Sequence, residues 1–246
     1  MATNKAGSSF YSYTVAPHLA EEFDVPISDF AIAHPQHTHY VLGAFIFTHR
    51  LPASSASRLA KEEHLSKPTS KPESQPLMLI IQRAITDSWG GYWDFPGGSL
   101  EPTDQTLLDG VAREVFEETG FHVRKIRELV RVDAWTVHKR GVNHRVAKFT
   151  FVVDVHESVD TPEWEEKVRL SPAEHMKWLW VTEEEIRESA RVMREVREGN
   201  PGRIVEETAP YAFVGIQGET AWEGFKTYLR LLGREVGRAG DDAAKV

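Results

Sequence analysis

Glu114, Glu117 and Glu118 stand at positions i, i+3 and i+4 of the run Arg113-Glu114-Val115-Phe116-Glu117-Glu118-Thr119-Gly120-Phe121. On a helix that spacing makes the three carboxylates neighbours on one face. Leu108, Val111 and Val115 form a separate apolar stripe about a quarter-turn away. One side of such a helix packs on a sheet while the adjacent side gathers negative charge. Crowded carboxylates repel one another unless a cation offsets the cost. Hard divalent cations prefer oxygen, and Mg²⁺ typically takes one or two carboxylates together with waters and substrate phosphates. The cluster therefore suits Mg²⁺ or Mn²⁺ with a phosphorylated ligand. A solvated acidic helix face would show the same spacing, so the neighbours decide. Upstream, Pro96-Gly97-Gly98 lets backbone approach a ligand closely, and a loop carbonyl there could join the metal shell. Arg113 is placed to orient one carboxylate through its planar fork.

The elements that must hold these residues can be read in outline. The motif helix spans about Thr106–Thr119, and Gly120 suits the left-handed residue that ends it. Asp87–Leu100 is loop-like. Tyr40–Phe47 and Leu77–Ile81 are continuous apolar runs, expected as strands buried on both faces and paired as a hairpin. Arg127–Val137 and Val146–Val155 are strand candidates around the turn Lys139–His144. Thr182-Glu183-Glu184-Glu185 is a capping box that opens a helix carrying Ile186, Ala190, Met193 and Val196. Thr220-Ala221-Trp222-Glu223 reads as a second box, before a helix with Trp222, Phe225, Leu229 and Leu232 on one face. Residues 51–75, rich in Ser, Ala, Lys, Glu and Pro, read as an exposed insertion with a short helix around Ala56–Leu65. Residues 1–38 read as an irregular extension with a short strand in Phe10–Val15. The end of the chain, residues 237–246, reads as a frayed tail. Strands and helices mix throughout, so the fold class is α/β or α+β.

Composition narrows the function. The 246 residues include 29 Lys and Arg against 37 Asp and Glu, a formal charge of −8. Such a surface repels phosphate backbones, so no nucleic-acid polymer is expected as a partner. A small phosphorylated molecule would bind through a bridging cation. Cysteine is absent, which excludes a disulfide framework, a thiolate zinc site and a cysteine nucleophile. The start of the chain lacks the apolar core of a signal peptide. The longest apolar runs have strand length, too short to span a bilayer. The expectation is a soluble cytoplasmic protein without membrane contact.

Residues 113–121, with Gly98 upstream, resemble the signature of the Nudix hydrolases: Gly, five residues, Glu, seven residues, then Arg-Glu-apolar-x-Glu-Glu-x-Gly-apolar. The second half matches at every fixed position, and Trp93-Asp94-Phe95-Pro96-Gly97-Gly98 is similar to the strand and turn before the family's helix. Two departures stand out. Asp104 takes the place of the first glutamate, and eight residues rather than seven separate it from Arg113. Either Asp104 or Glu101 fills the first glutamate's role.

The resemblance implies an α/β/α sandwich around a mixed sheet over residues 39–236. It implies a Mg²⁺- or Mn²⁺-dependent hydrolase that cleaves a diphosphate in a nucleoside-diphosphate-linked or other organic compound by water attack at phosphorus. Glu114, Glu117 and Glu118, with the Gly97 carbonyl, would ligate metal, and Arg113 would orient the cluster. The general base would come from the helix, as Glu117, or from a later loop. There Glu165-Glu166 and Glu174-His175 are candidates, with Glu174 favoured and His175 read as a structural hydrogen-bonding residue. Arg83, at the end of a strand, would contact phosphate or pair with a motif carboxylate. Trp89 and Trp93 are placed for stacking on a ligand, and Gly98 for close approach to it. Tyr211–Ile216 either lines the pocket or covers the sheet. The resemblance also allows a homodimer. A non-catalytic ligand- or partner-binding module of the same fold is the alternative, although such modules commonly lose motif glutamates.

Overall fold

The computed structural model describes residues 11–49, 75–199 and 209–243. The expected insertion, with its short helix Ala56–Leu65, lies outside the described residues. Seven strands form a mixed sheet: β1 (Thr14–Val15), β2 (His39–Thr48), β3 (Leu77–Arg83), β4 (Trp93–Asp94), β5 (Val123–Lys139), β6 (Val142–Val155) and β7 (His175–Thr182). Their order is β1-β5-β6-β2-β3-β4, with β7 also on β3. The helices are α1 (Pro17–Phe23), α2 (Ile27–Ala33), α3 (Leu107–Thr119), α4 (Glu157–Asp160), α5 (Glu183–Gly199) and α6 (Gln217–Ala243).

β2 explains why a continuous apolar run makes a central strand. Side chains alternate across a strand. Leu42, Ala44 and Ile46 join a core with Val111, Val115 and Phe151. Phe45 and Phe47 join a second core with Phe95, Phe213 and Phe225. One core lies under α3 and the other under α6, so the sheet is covered on both faces as a mixed α/β sandwich. β2 meets β3 antiparallel only at Phe47–Met78 and Thr48–Leu77. Its long pairing is parallel, with β6 from His39–Val146 to Ile46–Val153. The expected hairpin is thus a short corner, and β3 pairs mainly with β7.

Several sequence expectations change. Residues 17–33, read as irregular, form α1 and α2. Each helix is only seven residues long, so its periodicity is too short to stand out. Both are held by burial: Phe23 packs edge-on to Phe151 at 5.4 Å, and Phe30 edge-on to Phe149 at 5.5 Å. Thr220 does not cap a helix. α6 begins at Gln217, and the Thr220 hydroxyl donates instead to Asp133 Oδ2 at 2.7 Å. α6 also continues to Ala243, past the start of the expected tail. Phe225 is fully buried on its inner face, whereas Leu229 is exposed. The Thr182 box is present as read: Glu185 N donates to Thr182 Oγ1 at 3.3 Å, and Thr182 N to Glu185 Oε2 at 2.8 Å. β5 and β6 run closer together than expected, because Arg140 and Gly141 both take positive φ in a two-residue turn. Among the described residues, no helix is long and apolar enough to cross a membrane.

Candidate metal and diphosphate site

α3 is fixed at both ends before its carboxylates matter. Thr106 and Asp109 form a reciprocal capping box at the start, and Gly120, at φ 73°, ends the helix. Leu108, Val111 and Val115 are buried against the sheet. The adjacent face carries Glu114 and Glu118, both buried, and Glu117, half exposed.

The loop before α3 is laid along β2. Ala44 N donates to Pro96 O at 2.8 Å and Leu42 N to Gly98 O at 2.8 Å, leaving the Gly97 carbonyl outside this pairing. Gly97 N donates to Glu118 Oε2 at 2.7 Å. A Cβ on Gly97 would run into the Leu42 carbonyl oxygen, and one on Gly98 would stand 2.6 Å from Glu114 Oε1. Both glycines are there because the loop backbone touches β2 on one side and the carboxylates on the other.

Arg113 is the hub of the cluster. Its Nε donates to Asp104 Oδ1 at 3.0 Å and its Nη2 to Asp104 Oδ2 at 2.9 Å. Nη1 donates to Glu114 Oε1 at 2.8 Å and to Glu117 Oε2 at 2.9 Å, and Nη2 also reaches Ser99 O at 3.0 Å. Glu101 lies 4.0 Å from Arg113 Nη1 and is largely exposed. Of the two candidates for the first glutamate's role, Asp104 makes the bidentate contact with Arg113 and Glu101 does not. Burial lowers the affinity of Arg113 for its proton, but hydrogen bonds and charge from Asp104 and Glu114 outweigh it and hold the guanidinium charged.

Even so, the cluster is short of positive charge. Burial pushes the Glu114 carboxyl up to about 7, against the pull of Arg113. Burial also pushes Glu118 well above the usual carboxylate range, opposed by the Gly97 N–H and reinforced by Glu114, Asp94 and Glu174. Buried carboxylates that hold protons near neutrality, aimed at a loop with room only for glycine, fit a divalent cation that would displace those protons.

Glu174 comes from the turn before β7, and His175 is the first residue of that strand. Ser171 O accepts from both Glu174 N and His175 N, at 3.1 and 2.8 Å, and Ala84 N donates to Glu174 O at 2.7 Å. A ligand atom from each of Glu118, Glu174 and His175 lies within 4.8 Å of the other two. The other loop candidate, Glu165, is elsewhere. It is buried and accepts from Thr48 Oγ1 at 2.9 Å.

Arg83 does not reach the motif carboxylates. It forms an ion pair with Asp87, donates to Ser88 O at 2.7 Å and lies 3.5 Å from Asp94 Oδ2. The Trp93 ring packs edge-on to Tyr211 at 5.4 Å, and the Trp93 backbone N–H donates to Ala212 O at 2.8 Å. Tyr211 and Phe213 are buried and cover the sheet. Trp89 is exposed, at φ 59°. Sequence reasoning passed over Asp94 and Lys148. Lys148 is buried, its Nζ 3.3 Å from Asp94 Oδ1 and 4.2 Å from the centre of the Phe95 ring. The signal was present as a single charge inside the apolar run Val146–Val153.

The chain is similar to several known proteins. The chain is 30% identical over 117 residues to the putative 8-oxo-dGTP diphosphatase 3 of Mycobacterium tuberculosis, covering 47% of this chain and 49% of that protein. It is 29% identical over 103 residues to the CTP pyrophosphohydrolase of Escherichia coli, covering 41% and 71%. The chain thus spans about half the length of the Mycobacterium relative. Among solved structures, the E. coli ORF135 protein aligns with a TM-score of 0.42 and 17% identity, over 80% of this chain and 94% of that one. The MutT protein of Methanosarcina mazei aligns with a TM-score of 0.38 and 23% identity, over 60% and 79%. The NUDIX domain family model matches residues 70–198, just over half of the chain and the whole span from β3 through α3 to α5. The chain belongs to the Nudix hydrolase family.

Proposed function

We propose that the protein is a divalent-metal-dependent hydrolase of organic diphosphates, cleaving a phosphoanhydride by water attack at phosphorus. The observation that carries this reading is the convergence of Glu114 and Glu118 on the Gly97-Gly98 turn, with Glu117 tied beside Glu114 through Arg113. Mg²⁺ or Mn²⁺ bound there would neutralise the diphosphate and lower the pKa of a water molecule.

The chain's own residues do the rest. Arg113 holds Glu114 and Glu117 in fixed positions, so the cluster needs little reorganisation when the substrate arrives. Gly97 and Gly98 let the loop backbone lie between β2 and the carboxylates. Glu174 is exposed at the rim beside Glu118 and accepts the proton of the attacking water. Arg83, anchored by Asp87 and Asp94, offers its remaining N–H capacity to a phosphate oxygen. The 8-oxo-dGTP and CTP named in the relatives favour a nucleoside-linked diphosphate.

The test is phosphate or nucleotide release from a panel containing nucleoside triphosphates, dinucleotides, ADP-ribose, prenyl diphosphates and a diphosphoinositol, with Mg²⁺ or Mn²⁺. Turnover of at least one compound that stops with chelator is expected. A folded, metal-binding protein inert across the panel would favour a binding module instead.

A further inference from the structure

His175 is 3% exposed, yet its imidazole is poorly partnered. Nδ1 is buried without a hydrogen-bond partner, and Nε2 lies 3.6 Å from Glu118 Oε1, too far for a hydrogen bond. A buried polar atom left without a partner is destabilising, and native structures rarely leave one without a ligand or a strain to explain it.

The local backbone puts the ring where it is. β3 and β7 change register between Gln82–Lys177 and Arg83–His175, so β7 carries one extra residue there. Such a bulge re-aims the side chains beside it. Here it sets His175, rather than Met176, opposite Arg83, with its ring toward Glu118. An imidazole nitrogen with a free lone pair is a common metal ligand. At 3% exposure the ring is out of reach of a diphosphate but not of a bare ion.

We infer that His175 is a metal ligand of this protein, joining Glu118 and Glu174 so that the hydrolytic site holds its ion with one imidazole nitrogen as well as carboxylate oxygens. The inference rests on the hydrolase reading above. Glu174 would help hold the ion and would also accept the proton of the attacking water. A nitrogen ligand changes which cation is preferred. Imidazole suits first-row transition metals, whereas Mg²⁺ takes oxygen almost exclusively. The site therefore selects Mn²⁺ over Mg²⁺ more strongly than a carboxylate-only cluster would.

The full-length protein, with its histidines labelled by ¹⁵N, is loaded with one equivalent of Mn²⁺ and examined by pulsed EPR. A directly bonded histidine nitrogen is expected to couple to the Mn²⁺ spin, and the pattern should change between ¹⁴N- and ¹⁵N-histidine protein. His175→Gln should abolish that coupling and reduce the ratio of Mn²⁺ to Mg²⁺ affinity, measured by competitive titration, on the order of tenfold. Mn²⁺ bound with no histidine coupling would overturn the assignment while leaving the hydrolase reading intact. So would coupling that survives in His175→Gln. Failure to bind either cation, with no turnover of the substrate panel, would overturn both.

Discussion

Arg113 grips Asp104 through two parallel hydrogen bonds, 3.0 Å from Nε to Oδ1 and 2.9 Å from Nη2 to Oδ2. The same guanidinium holds Glu114 and Glu117. Asp104 thereby sets the position of two carboxylates that it does not itself touch. Asp104→Asn should lose a charge-assisted pair in a buried setting, at a cost of about 2 kcal/mol. Glu101→Gln, at an exposed position 4.0 Å away, should cost almost nothing. Thermal unfolding would show a fall of roughly 4–8 °C for the first variant and little change for the second. The reverse order would assign the role to Glu101.

The two glycines of the turn should separate structure from metal binding. Gly97→Ala meets the Leu42 backbone, which cannot move without disturbing β2. Overpacking of this kind costs about 2–3 kcal/mol, readable as a lower unfolding midpoint. Gly98→Ala meets only the Glu114 carboxylate, at 2.6 Å. It should displace that side chain and weaken Mn²⁺ binding in calorimetric titration, with a smaller loss of stability. Equal effects of the two substitutions on metal affinity would contradict this division.

Burial sets a pH dependence for the metal-free protein. Glu114 holds its proton up to about 7 and Glu118 well above the usual range. The unfolded chain releases both protons near the ordinary glutamate value of about 4.3. Between those limits the folded state binds more protons, so stability falls as pH rises from about 4.5 through 7. With chelator present, the urea midpoint should be lower at pH 8 than at pH 5.5. Saturating Mn²⁺ should shrink that difference. A higher midpoint at pH 8 without metal would mean that the carboxylates are ionised in the folded protein.

Residues 1–38 read as an extension, yet the described part of it, residues 11–38, supplies part of the core. Val15, Leu19, Phe23 and Phe30 are all buried in the cluster that also contains Val111 and Phe151. Tyr13 donates to Asp109 Oδ1 at 2.7 Å, beside the cap of α3. A chain starting at residue 39 should therefore lose cooperative unfolding in calorimetry. Retention of a sharp transition would show that the segment is dispensable.

What was legible in sequence was local. The i, i+3, i+4 glutamates, the apolar stripe of α3 and the terminating Gly120 all follow from helix geometry over a few residues, and each is where it was expected. Thr182–Glu185 is equally local and is present. Thr220–Glu223 has the same pattern, but Asp133, 87 residues away in sequence, takes the Thr220 hydroxyl. Pattern alone could not weigh that contact. The choice between Asp104 and Glu101 depended on the path of the loop, and the pairing of Lys148 with Asp94 on strands far apart in sequence. α1 and α2 are too short for periodicity to announce them and exist through the burial of Phe23 and Phe30.

The central claim is that the carboxylate face of α3 acts through a metal ion on a diphosphate. It is tested most directly by steady-state turnover of wild-type and Glu117→Gln protein on the best substrate of the panel, at saturating Mn²⁺, alongside their melting temperatures. Glu117 is half exposed and pairs only at the rim of the Arg113 hub, so its loss should shift the melting temperature by no more than about 2 °C. Turnover should fall by roughly 100-fold or more, the loss typical of removing one preorganised group that stabilises transition-state charge. Unchanged metal-dependent turnover in the variant, or a drop in activity matched by a collapse in stability, would contradict the account.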